Sequence, residues 1–414
     1  TDGRSGFRAI VSTSADQTAV APGALQRQWA QDGRHYFEYR LERATWPAIG
    51  VVSARYTVAR DYWNDVALEV YHDAKHSWNV TAMLDTARQS LAYFSREFAP
   101  YPLTSFRILE YPRYRSAAQA LPGIVPYSET AGFLTNLRTW SSLDYTTIHE
   151  LAHQWWGGYA YGAKMQGRQL LNETLAQYST LMMFKQQRDP QWLRRLLTLT
   201  HRNYLDGRSR ESVAEQPLLL TEDQGNISYN KGALAMFALQ ERIGSERMHE
   251  GLRNYLRRFG FKEAPFPTSR DLVNELRAVA GPEHQAFITD QFERITLYDV
   301  AVTAAAARQT ADGYELTVDL AARQFEADGQ GAEHEVPLDS WFDLVVFPGA
   351  SRDVMTQTPV YQDTLRLQSG THRKVIRLAS RPGAVGIDPF HLMIDRAPDN
   401  NLLVVSGPSP APAP

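Results

Sequence analysis

The sequence predicts a multidomain α+β protein with a β-rich start, a mainly helical middle and a β-rich end. Its 414 residues exceed what one simple core usually holds. The hydrophobic pattern changes from alternation to a helical period near residue 76 and returns to alternation near residue 298. We therefore predict a β region at 1–75, a helical domain at 76–297, a β-sandwich at 298–405 and a Pro-rich, disordered tail at 406–414.

Strands are predicted at the start because "HYFEYRLE" and "GVVSARYTVAR" alternate polar with apolar, β-branched or aromatic residues. The run "SWNVTAMLDTARQSLAYFSREF" then has apolar residues at helical spacing and should end before Pro100. "SFRILEYPRY" is predicted as a short strand and "LPGIVPYSETAGFL" as an extended stretch. Further helices are predicted around 141–156, 169–187, 190–204 and 229–243, and through "SRDLVNELRAVAG" and "EHQAFITDQFERI".

Short alternating runs return in the last hundred residues, as "DGYELTVDLAA", "WFDLVVF", "HRKVIRLA" and "AVGIDP". The turn sequences "ADG", "FPG" and "RPG" separate them. Such regularly spaced strands are typical of a small antiparallel sandwich.

Composition limits the classes of function. The net charge of −3 provides no basic surface for nucleic acid or for an anionic membrane. No apolar run reaches the ~18 residues of a membrane span, and the N-terminus lacks the apolar core of a signal peptide. We expect a soluble domain whose localisation stays open, including membership of a membrane-associated bacterial protein. Because cysteine is absent, any metal must be held by His, Asp or Glu.

The stretch "YTTIHELAHQWWG" contains two histidines four residues apart, His149 and His153. On a helix, residues i and i+4 lie on one face, so both imidazoles can reach one ion. Glu150 lies on the neighbouring flank, where it can reach a water without binding the metal. The alternative is an ordinary helix with two partly buried, hydrogen-bonded histidines. The apolar or small residues around them indicate that this face points inward.

A third candidate ligand, Glu173, follows His153 after 19 intervening residues, enough for a loop and a returning helix. Two His and one Glu leave a fourth zinc position open, which is typical of a catalytic site. The alternative is an acidic residue that is favoured at a helix N-terminus by the helix dipole.

The run "HELAHQWWG" followed by "NE" resembles the gluzincin zinc aminopeptidases of the aminopeptidase N family. "HQWWG…QG…ETLAQYS" is most similar to a bacterial subgroup in which the peptidase domain is fused behind an ABC-transporter permease. "PRYRS", "VPYSE", "ITLYD" and "GIDPF" extend this resemblance over most of the chain. One residue more than is usual separates His153 from Glu173, so that Asn172 stands at the strict position. Because "NE" itself matches the family, we expect Glu173 to be the ligand and the extra residue to lie in the loop "GGYAYGAKMQGRQ".

The resemblance implies roles for residues outside the metal motif. The family has a Gly-x-Met-Glu-Asn edge strand whose Glu binds the substrate's free α-amine, and "YSETAGFL" implies Glu129 for that role. It also has a catalytic Tyr before Lys-Gly at a helix start, and "ISYNKGALAMF" implies Tyr229 as a donor to the oxyanion. We further predict that Tyr127 walls the first side-chain pocket. The alternatives are a loop carboxylate for Glu129 and a packed ring for Tyr229.

The resemblance thus implies a thermolysin-like zinc peptidase domain with one Zn²⁺ per chain. The expected partner is a peptide with a free N-terminus, together with a covalent or physical link to a membrane permease in a parent protein. Residues 1–75 would be the remnant of a larger β-saddle domain. One alternative is a thermolysin-type zinc endopeptidase. Another is an inactive peptidase-like binding module of a transporter, which should have lost a ligand or the general base.

Overall fold

The computed structural model describes residues 4–46, 48–136 and 142–406. Of the predicted disordered tail, only Ser406 belongs to these described residues. Among the helices that the structure describes, none combines the length and the apolar character needed to cross a lipid bilayer.

The chain forms two compact units, each made of two segments. Unit 1 consists of Thr1–Met183 and Ser245–Val279, and unit 2 consists of Phe184–Gly244 and Ala280–Pro414. Both units take residues from the predicted helical domain at 76–297, so the predicted domain boundaries differ from this division and stay predictions.

Strands and helices follow one another in the predicted order. The strands are β1 (Arg8–Ser14), β2 (Thr18–Val20), β3 (Ala24–Gln31), β4 (Arg34–Arg40), β5 (Val52–Ala54), β6 (Thr57–Trp63), β7 (Val66–His72), β8 (Ser105–Tyr111), β9 (Ile124–Ser128), β10 (Thr296–Thr310), β11 (Gly313–Ala327), β12 (Glu333–Val336), β13 (Asp339–Phe347), β14 (Tyr361–Gln368), β15 (Gly370–Leu378), β16 (Ala384–Ile387) and β17 (Leu402–Val404). The α-helices are α1 (Val80–Glu97), α2 (Ser142–Ala152), α3 (Leu175–Gln187), α4 (Pro190–Arg210), α5 (Gly232–Ile243), α6 (Ser245–Phe259), α7 (Ser269–Ala280) and α8 (Gln285–Ile288). This β–α–β order agrees with the predicted α+β class.

Short helical turns of other types complete the order. Turns of π-helix occur at Glu129–Phe133, Leu170–Thr174, Asn226–Lys231 and Thr289–Glu293, and 3₁₀ turns at Leu218–Leu220, Pro282–His284 and Pro398–Asn400. A π-turn has one residue more per turn than an α-turn, and such turns are frequent at functional sites.

The described residues of unit 1 form three sheets. One has the order β1-β4-β3, a second pairs β2 with β5, and a third has the order β6-β7-β8-β9. In the third sheet β6 is antiparallel to β7, whereas β7, β8 and β9 are parallel. Parallel strands place their carboxyl ends at one edge of a sheet, where functional groups are commonly found. The carboxyl ends of β8 and β9 therefore lie next to each other.

Helix α1 connects β7 to β8 and packs against α2, which carries His149 and directly precedes His153. Met83, Ala87, Leu91 and Phe94 are buried, and their spacing of three or four residues defines one apolar face. The ring of Phe94 meets that of Trp155 edge-on at 5.5 Å. The helix ends at Glu97, as expected shortly before a proline.

Two four-stranded sheets are formed by the part of unit 2 that the structure describes. In one, β11 pairs with β10, β12 and β15, and the other has the order β14-β13-β16-β17. Both are antiparallel, as predicted for the C-terminal region. Tyr298 on β10 packs edge-on against Phe342 on β13 with ring centroids 5.5 Å apart, so the two sheets share a core.

Helix boundaries differ from the prediction at several places. The helix predicted at 141–156 ends at Ala152, after which the N–H groups of Gln154 and Trp155 donate to carbonyls three residues earlier. Helix α4 continues to Arg210 instead of ending near residue 204. Helix α6 was not predicted individually, although Met248, Leu252 and Tyr255 recur at helical spacing and are buried.

Candidate metal centre and substrate site

Three side chains in unit 1 converge on one point. The Nε2 atoms of His149 and His153 lie 3.2 Å apart. Oε2 of Glu173 lies 3.3 Å from the first and 3.5 Å from the second. All three side chains are largely buried. We call His149, His153 and Glu173 the metal cluster.

The sequence positions the two histidines through local helix geometry. His149 lies in the last turn of α2, and His153 follows the helix directly, with its N–H donating to the His149 carbonyl at 3.3 Å. Nδ1 of His153 lies 3.2 Å from the carbonyl oxygen of Trp156. Because a carbonyl can only accept, this contact assigns the proton to Nδ1 and leaves the Nε2 lone pair toward the cluster.

Two tryptophans after His153 fasten this end of α2 to its surroundings. Nε1 of Trp155 donates to the Ala99 carbonyl at 2.7 Å, and Nε1 of Trp156 donates to Oγ of Ser179 at 2.8 Å. Both indoles are completely buried. Since Ser179 lies on α3, the second bond connects the histidine-bearing segment to the helix that follows Glu173.

Glu173 lies in the π-turn Leu170–Thr174, which opens α3. Nδ2 of Asn172 donates to Oε1 of Glu173 at 3.3 Å, which leaves Oε2 facing the imidazoles. Gly157 makes room for this amide: it has a φ of +96°, and a Cβ at this position would lie 2.2 Å from Oδ1 of Asn172. The extra residue was predicted in the loop, but a π-turn also accommodates one residue more than an α-turn.

Electrostatics hold the metal cluster together. Burial by itself would raise the pKa of Glu173, but the two imidazoles lower it well below its usual range. Burial would lower the pKa of His153, but the Glu173 carboxylate raises it to about 9. The carboxylate and the imidazoles thus attract each other strongly. A divalent cation can replace the imidazole proton as the positive charge that the Glu173 carboxylate attracts.

The metal cluster fits zinc in both donor type and spacing. Zinc binds His nitrogen and carboxylate oxygen at about 2.0–2.2 Å, so that tetrahedral ligands lie about 3.3–3.6 Å apart. The three separations of 3.2, 3.3 and 3.5 Å agree with this geometry. With three protein ligands, a fourth position stays available, as in catalytic zinc sites.

Glu150 lies on α2 directly after His149 and is 8% exposed. The pKa of Tyr111, the last residue of β8, is raised mainly by burial. The nearby Glu150 carboxylate raises it further. Glu150 therefore lies within electrostatic range of the edge where β8 and β9 end.

A second group of ionisable side chains, which we call the acidic cluster, consists of His76, Glu110 and Glu129. Its candidate ligand atoms lie within 4.8 Å of one another. Nδ1 of His76 lies 2.5 Å from Oε1 of Glu110, and the Asp73 N–H donates to Oε2 of Glu110 at 2.6 Å. The Arg113 N–H donates to Oε1 of Glu129 at 3.3 Å, with the guanidinium Nε 3.8 Å from the same oxygen.

The strand that leads to Glu129 is paired along both edges. β8 pairs with one edge of β9. On the other edge, the Ser128 N–H donates to the Ala117 carbonyl at 3.0 Å and the Gln119 N–H donates to the Pro126 carbonyl at 3.2 Å. The chain's own segment 117–121 thus occupies the edge that a free edge strand would expose.

Tyr127 was predicted to wall a pocket, but its side chain lies in the core. It is 0% exposed, and its ring meets that of Phe133 edge-on at 6.3 Å. Burial raises its pKa far above the ordinary range of tyrosine. Tyr127 is therefore a core residue, because four of the five residues of β9 are buried and the strand does not alternate between core and solvent.

Tyr229 belongs to unit 2, where it lies in the π-turn Asn226–Lys231 that opens α5. Glu129 is the first residue of another π-turn and Glu173 lies within a third. Three of the residues to which the sequence assigns a role thus lie in the same uncommon backbone geometry.

Sequence analysis missed residues that support the site. Gln154, which lies just after the end of α2, connects this segment to the turn before β9. Its Oε1 accepts from the Gly123 N–H at 2.9 Å, and its Nε2 donates to the Leu121 carbonyl at 3.1 Å. Gln154 is part of the motif "HELAHQWW", but the sequence does not indicate which groups it hydrogen-bonds. His76 and Glu110 had no local motif to mark them.

Comparisons with known proteins identify the family of the chain. The sequence model of the peptidase family M1 domain matches residues 82–292, just over half of the chain. The probable aminopeptidase 1 of Sulfurisphaera tokodaii is 28% identical over 214 residues, which cover 48% of this chain and 26% of that protein. Human endoplasmic reticulum aminopeptidase 2 is 24% identical over 241 residues, covering 55% and 25%. The chain thus spans about a quarter of the length of the curated relatives it matches.

Two solved structures are similar in fold. Aminopeptidase A of Legionella pneumophila, solved in complex with aspartic acid, has a TM-score of 0.66 and 13% identity and covers 94% of this chain and 44% of that chain. A mutant of the M1 zinc metallopeptidase of Deinococcus radiodurans has a TM-score of 0.54 and 19% identity, covering 69% and 64%. Identities this low show the fold alone. Because the family match encloses the whole metal cluster and more than half of the sequence, the chain belongs to peptidase family M1.

Proposed function

We propose that this chain is a zinc-dependent aminopeptidase that hydrolyses the N-terminal bond of peptides. The observation that carries the proposal is the spacing of the metal cluster, with three ligand atoms 3.2–3.5 Å apart and Glu150 on the same helix. The chain spans about a quarter of the length of its curated relatives. The proposed activity on peptides therefore applies to the chain and to any longer protein that contains it.

His149, His153 and Glu173 hold one Zn²⁺ in this proposal. When bound, the ion supplies a Lewis acid for the scissile carbonyl and lowers the pKa of a water molecule. The second contacts of these ligands, from His153 to the Trp156 carbonyl and from Asn172 to Glu173, fix their orientation.

Glu150 acts as the general base and then as the general acid. Its carboxylate accepts a proton from the attacking water and passes it to the leaving amine. The Tyr229 hydroxyl donates a hydrogen bond to the oxyanion that develops on the scissile carbonyl. Neither residue is a metal ligand, so each can be replaced without removing a ligand.

Glu129 binds the substrate's terminal ammonium. It lies where β8 and β9 end, its side chain is 20% exposed, and Glu110 adds a second carboxylate nearby. Two carboxylates favour a cation, and a fixed ammonium places the first peptide bond at the reacting groups. Tyr127 has no part in this binding, because its ring is in the core.

The wider architecture is inferred from the resemblance. Residues within 76–297 form a thermolysin-like catalytic domain, the N-terminal β region is the remnant of a β-saddle, and the C-terminal sheets form a sandwich. A link to a membrane permease in a parent protein is part of the same inference.

A zinc endopeptidase of the thermolysin type is the second candidate. It is favoured by Arg113, which lies 3.8 Å from Glu129 and competes with a substrate ammonium, and by segment 117–121, which covers the outer edge of β9. The inactive binding module is disfavoured, because all three ligands and Glu150 are present.

The test uses one peptide sequence with either a free or an acetylated N-terminus, incubated with zinc-loaded protein and followed by mass spectrometry. We expect cleavage of the first bond of the free peptide alone. Equal internal cleavage of both peptides would establish the endopeptidase, and no cleavage of either would support the binding module. Glu129→Gln should lower kcat/KM for the free peptide by about 10- to 100-fold, because a charge-assisted hydrogen bond is lost.

A further inference from the structure

Lys231 is a buried ammonium two residues after Tyr229. It is 1% exposed and ends the π-turn that contains the tyrosine. Its Nζ lies 3.4 Å from Oε1 of Glu215 and 5.5 Å from the centroid of the Tyr204 ring. Burial lowers the pKa of Lys231, and the Glu215 carboxylate acts in the opposite direction. A charge without water must be paired, so Lys231 depends on Glu215.

Glu215 is the centre of a network inside unit 2. Its Oε1 also accepts from the Tyr204 hydroxyl at 2.5 Å, and its Oε2 accepts from Nε of Arg208 at 2.7 Å. Arg208 in turn donates from Nη1 to Oε1 of Glu333 at 2.9 Å. Glu215 is 7% exposed, so these contacts are shielded from solvent and their geometry is tightly constrained.

The opposite end of the same π-turn is held by the residues beside Glu215. Oε1 of Gln224 accepts from the Gln216 N–H, and Nε2 of Gln224 donates to the Ala214 carbonyl, both at 3.1 Å. The Gln224 carbonyl accepts from the N–H groups of Ile227 and Ser228, both at 3.0 Å. Gln224 thus connects the segment 214–216 to the first residues of the turn.

Segment 214–216 is itself fixed in place. The Glu215 N–H donates to the Gly329 carbonyl at 2.7 Å. Gly329 has a φ of +83°, and a Cβ at this position would lie 2.5 Å from the Glu215 carbonyl oxygen. The backbones of Gly329 and Glu215 are therefore in direct contact, and a side chain at position 329 would have no space.

We propose that segment 214–216 positions Tyr229 by holding both ends of its π-turn, through Gln224 at the start and Lys231 at the end. The inference rests on the proposed role of Tyr229 as the oxyanion donor. Glu215, Gln224 and Lys231 are positioning residues. A π-turn is an uncommon backbone geometry, and the attraction within a buried ion pair offsets its desolvation cost only when the geometry of the pair is well defined. The network therefore directs the tyrosine hydroxyl.

The test measures kcat, KM, zinc content and thermal stability of the full chain carrying Lys231→Met or Gln224→Met. We expect each substitution to lower kcat at least about tenfold with KM changed less than about twofold, since an oxyanion donor acts in the transition state. In a Tyr229→Phe background, the same substitutions should lower kcat by less than about twofold, because their effect passes through the hydroxyl. Lys185→Met, which removes another ion pair of unit 2 (to Glu241), is the matched control and should leave kcat unchanged.

Gln224→Met removes no charge, so it keeps the test decisive where Lys231→Met does not fold. Wild-type kcat in the folded variants, or an equal loss in the Tyr229→Phe background, would overturn the inference while leaving the aminopeptidase proposal intact. Unfolding of both variants would make the network purely structural and would also overturn it. Wild-type kcat in Tyr229→Phe alone would remove the role of the tyrosine and the inference with it. An absence of aminopeptidase activity in the unsubstituted chain is a separate result that contradicts the proposed function.

Discussion

The metal cluster and the acidic cluster have similar residues but differ in what those residues already bind. Both combine histidine with glutamate in unit 1. In the metal cluster, two Nε2 atoms and one carboxylate oxygen converge within 3.5 Å, while the outer atoms of His153 and Glu173 bond to other groups. In the acidic cluster, Glu110 accepts from a backbone N–H and from His76.

Residue type alone therefore does not define a metal site. A ligand needs a lone pair directed at the ion and a second contact that fixes its orientation. The acidic cluster has two carboxylates, and its strongest contacts are to groups of the protein itself. Such a cluster suits a cationic group of a substrate better than a bare ion.

The same change in both clusters gives the sharpest contrast. Glu173→Gln should weaken zinc binding by more than about 100-fold, since losing a ligand costs more than losing a second contact. Glu110→Gln should keep zinc at the wild-type level but lower stability by about 1–3 kcal/mol, because a buried acceptor of two bonds loses its charge. Zinc affinity from competition with a chelator and unfolding in urea measure these effects. Equal zinc loss in both variants would erase the distinction.

Removing the second contact of a ligand should have an intermediate effect. Asn172→Ala deletes the donor to Oε1 of Glu173, and we expect zinc affinity to fall by about 10- to 100-fold. Asn254→Ala, on α6 of the same unit, is the control and should retain wild-type affinity. Unchanged affinity in Asn172→Ala would mean that Glu173 is oriented by other contacts.

Arg113 should have the smallest effect. Its side chain is 75% exposed and lies 3.8 Å from Glu129, so it competes only weakly with a substrate ammonium. Arg113→Ala should raise kcat/KM for free-amine peptides by at most about fivefold at low salt, as exposed ion pairs are weak. The gain should vanish at about 0.5 M salt because the interaction is screened. A fall in kcat/KM would show instead that Arg113 contacts the substrate.

Local geometry explains which parts of the site could be predicted. His149 and His153 meet because residues four apart on a helix share a face, and this depends on no distant residue. The order of strands and helices followed from hydrophobic periods in the same way. Asn172 stood one position from the expected ligand, but its role required the π-turn and Gly157, which no pattern indicated.

Long-range contacts explain what could not be predicted. Tyr127 was predicted to wall a pocket as an aromatic residue, but both faces of β9 are covered and its ring is buried. The pairing of segment 117–121 with β9, and the bonds from Gln154 to Leu121 and Gly123, join residues that share no motif. Such contacts depend on the packing of the whole unit.

Glu150→Gln is the decisive variant for a catalytic zinc centre that has Glu150 as its base. The substitution keeps the shape of the side chain and every metal ligand, so we expect one zinc per chain by elemental analysis. Turnover of an aminoacyl fluorophore should fall by at least about 100-fold, the usual contribution of a general base. A variant that retains its zinc and hydrolyses the substrate at the wild-type rate would contradict the account.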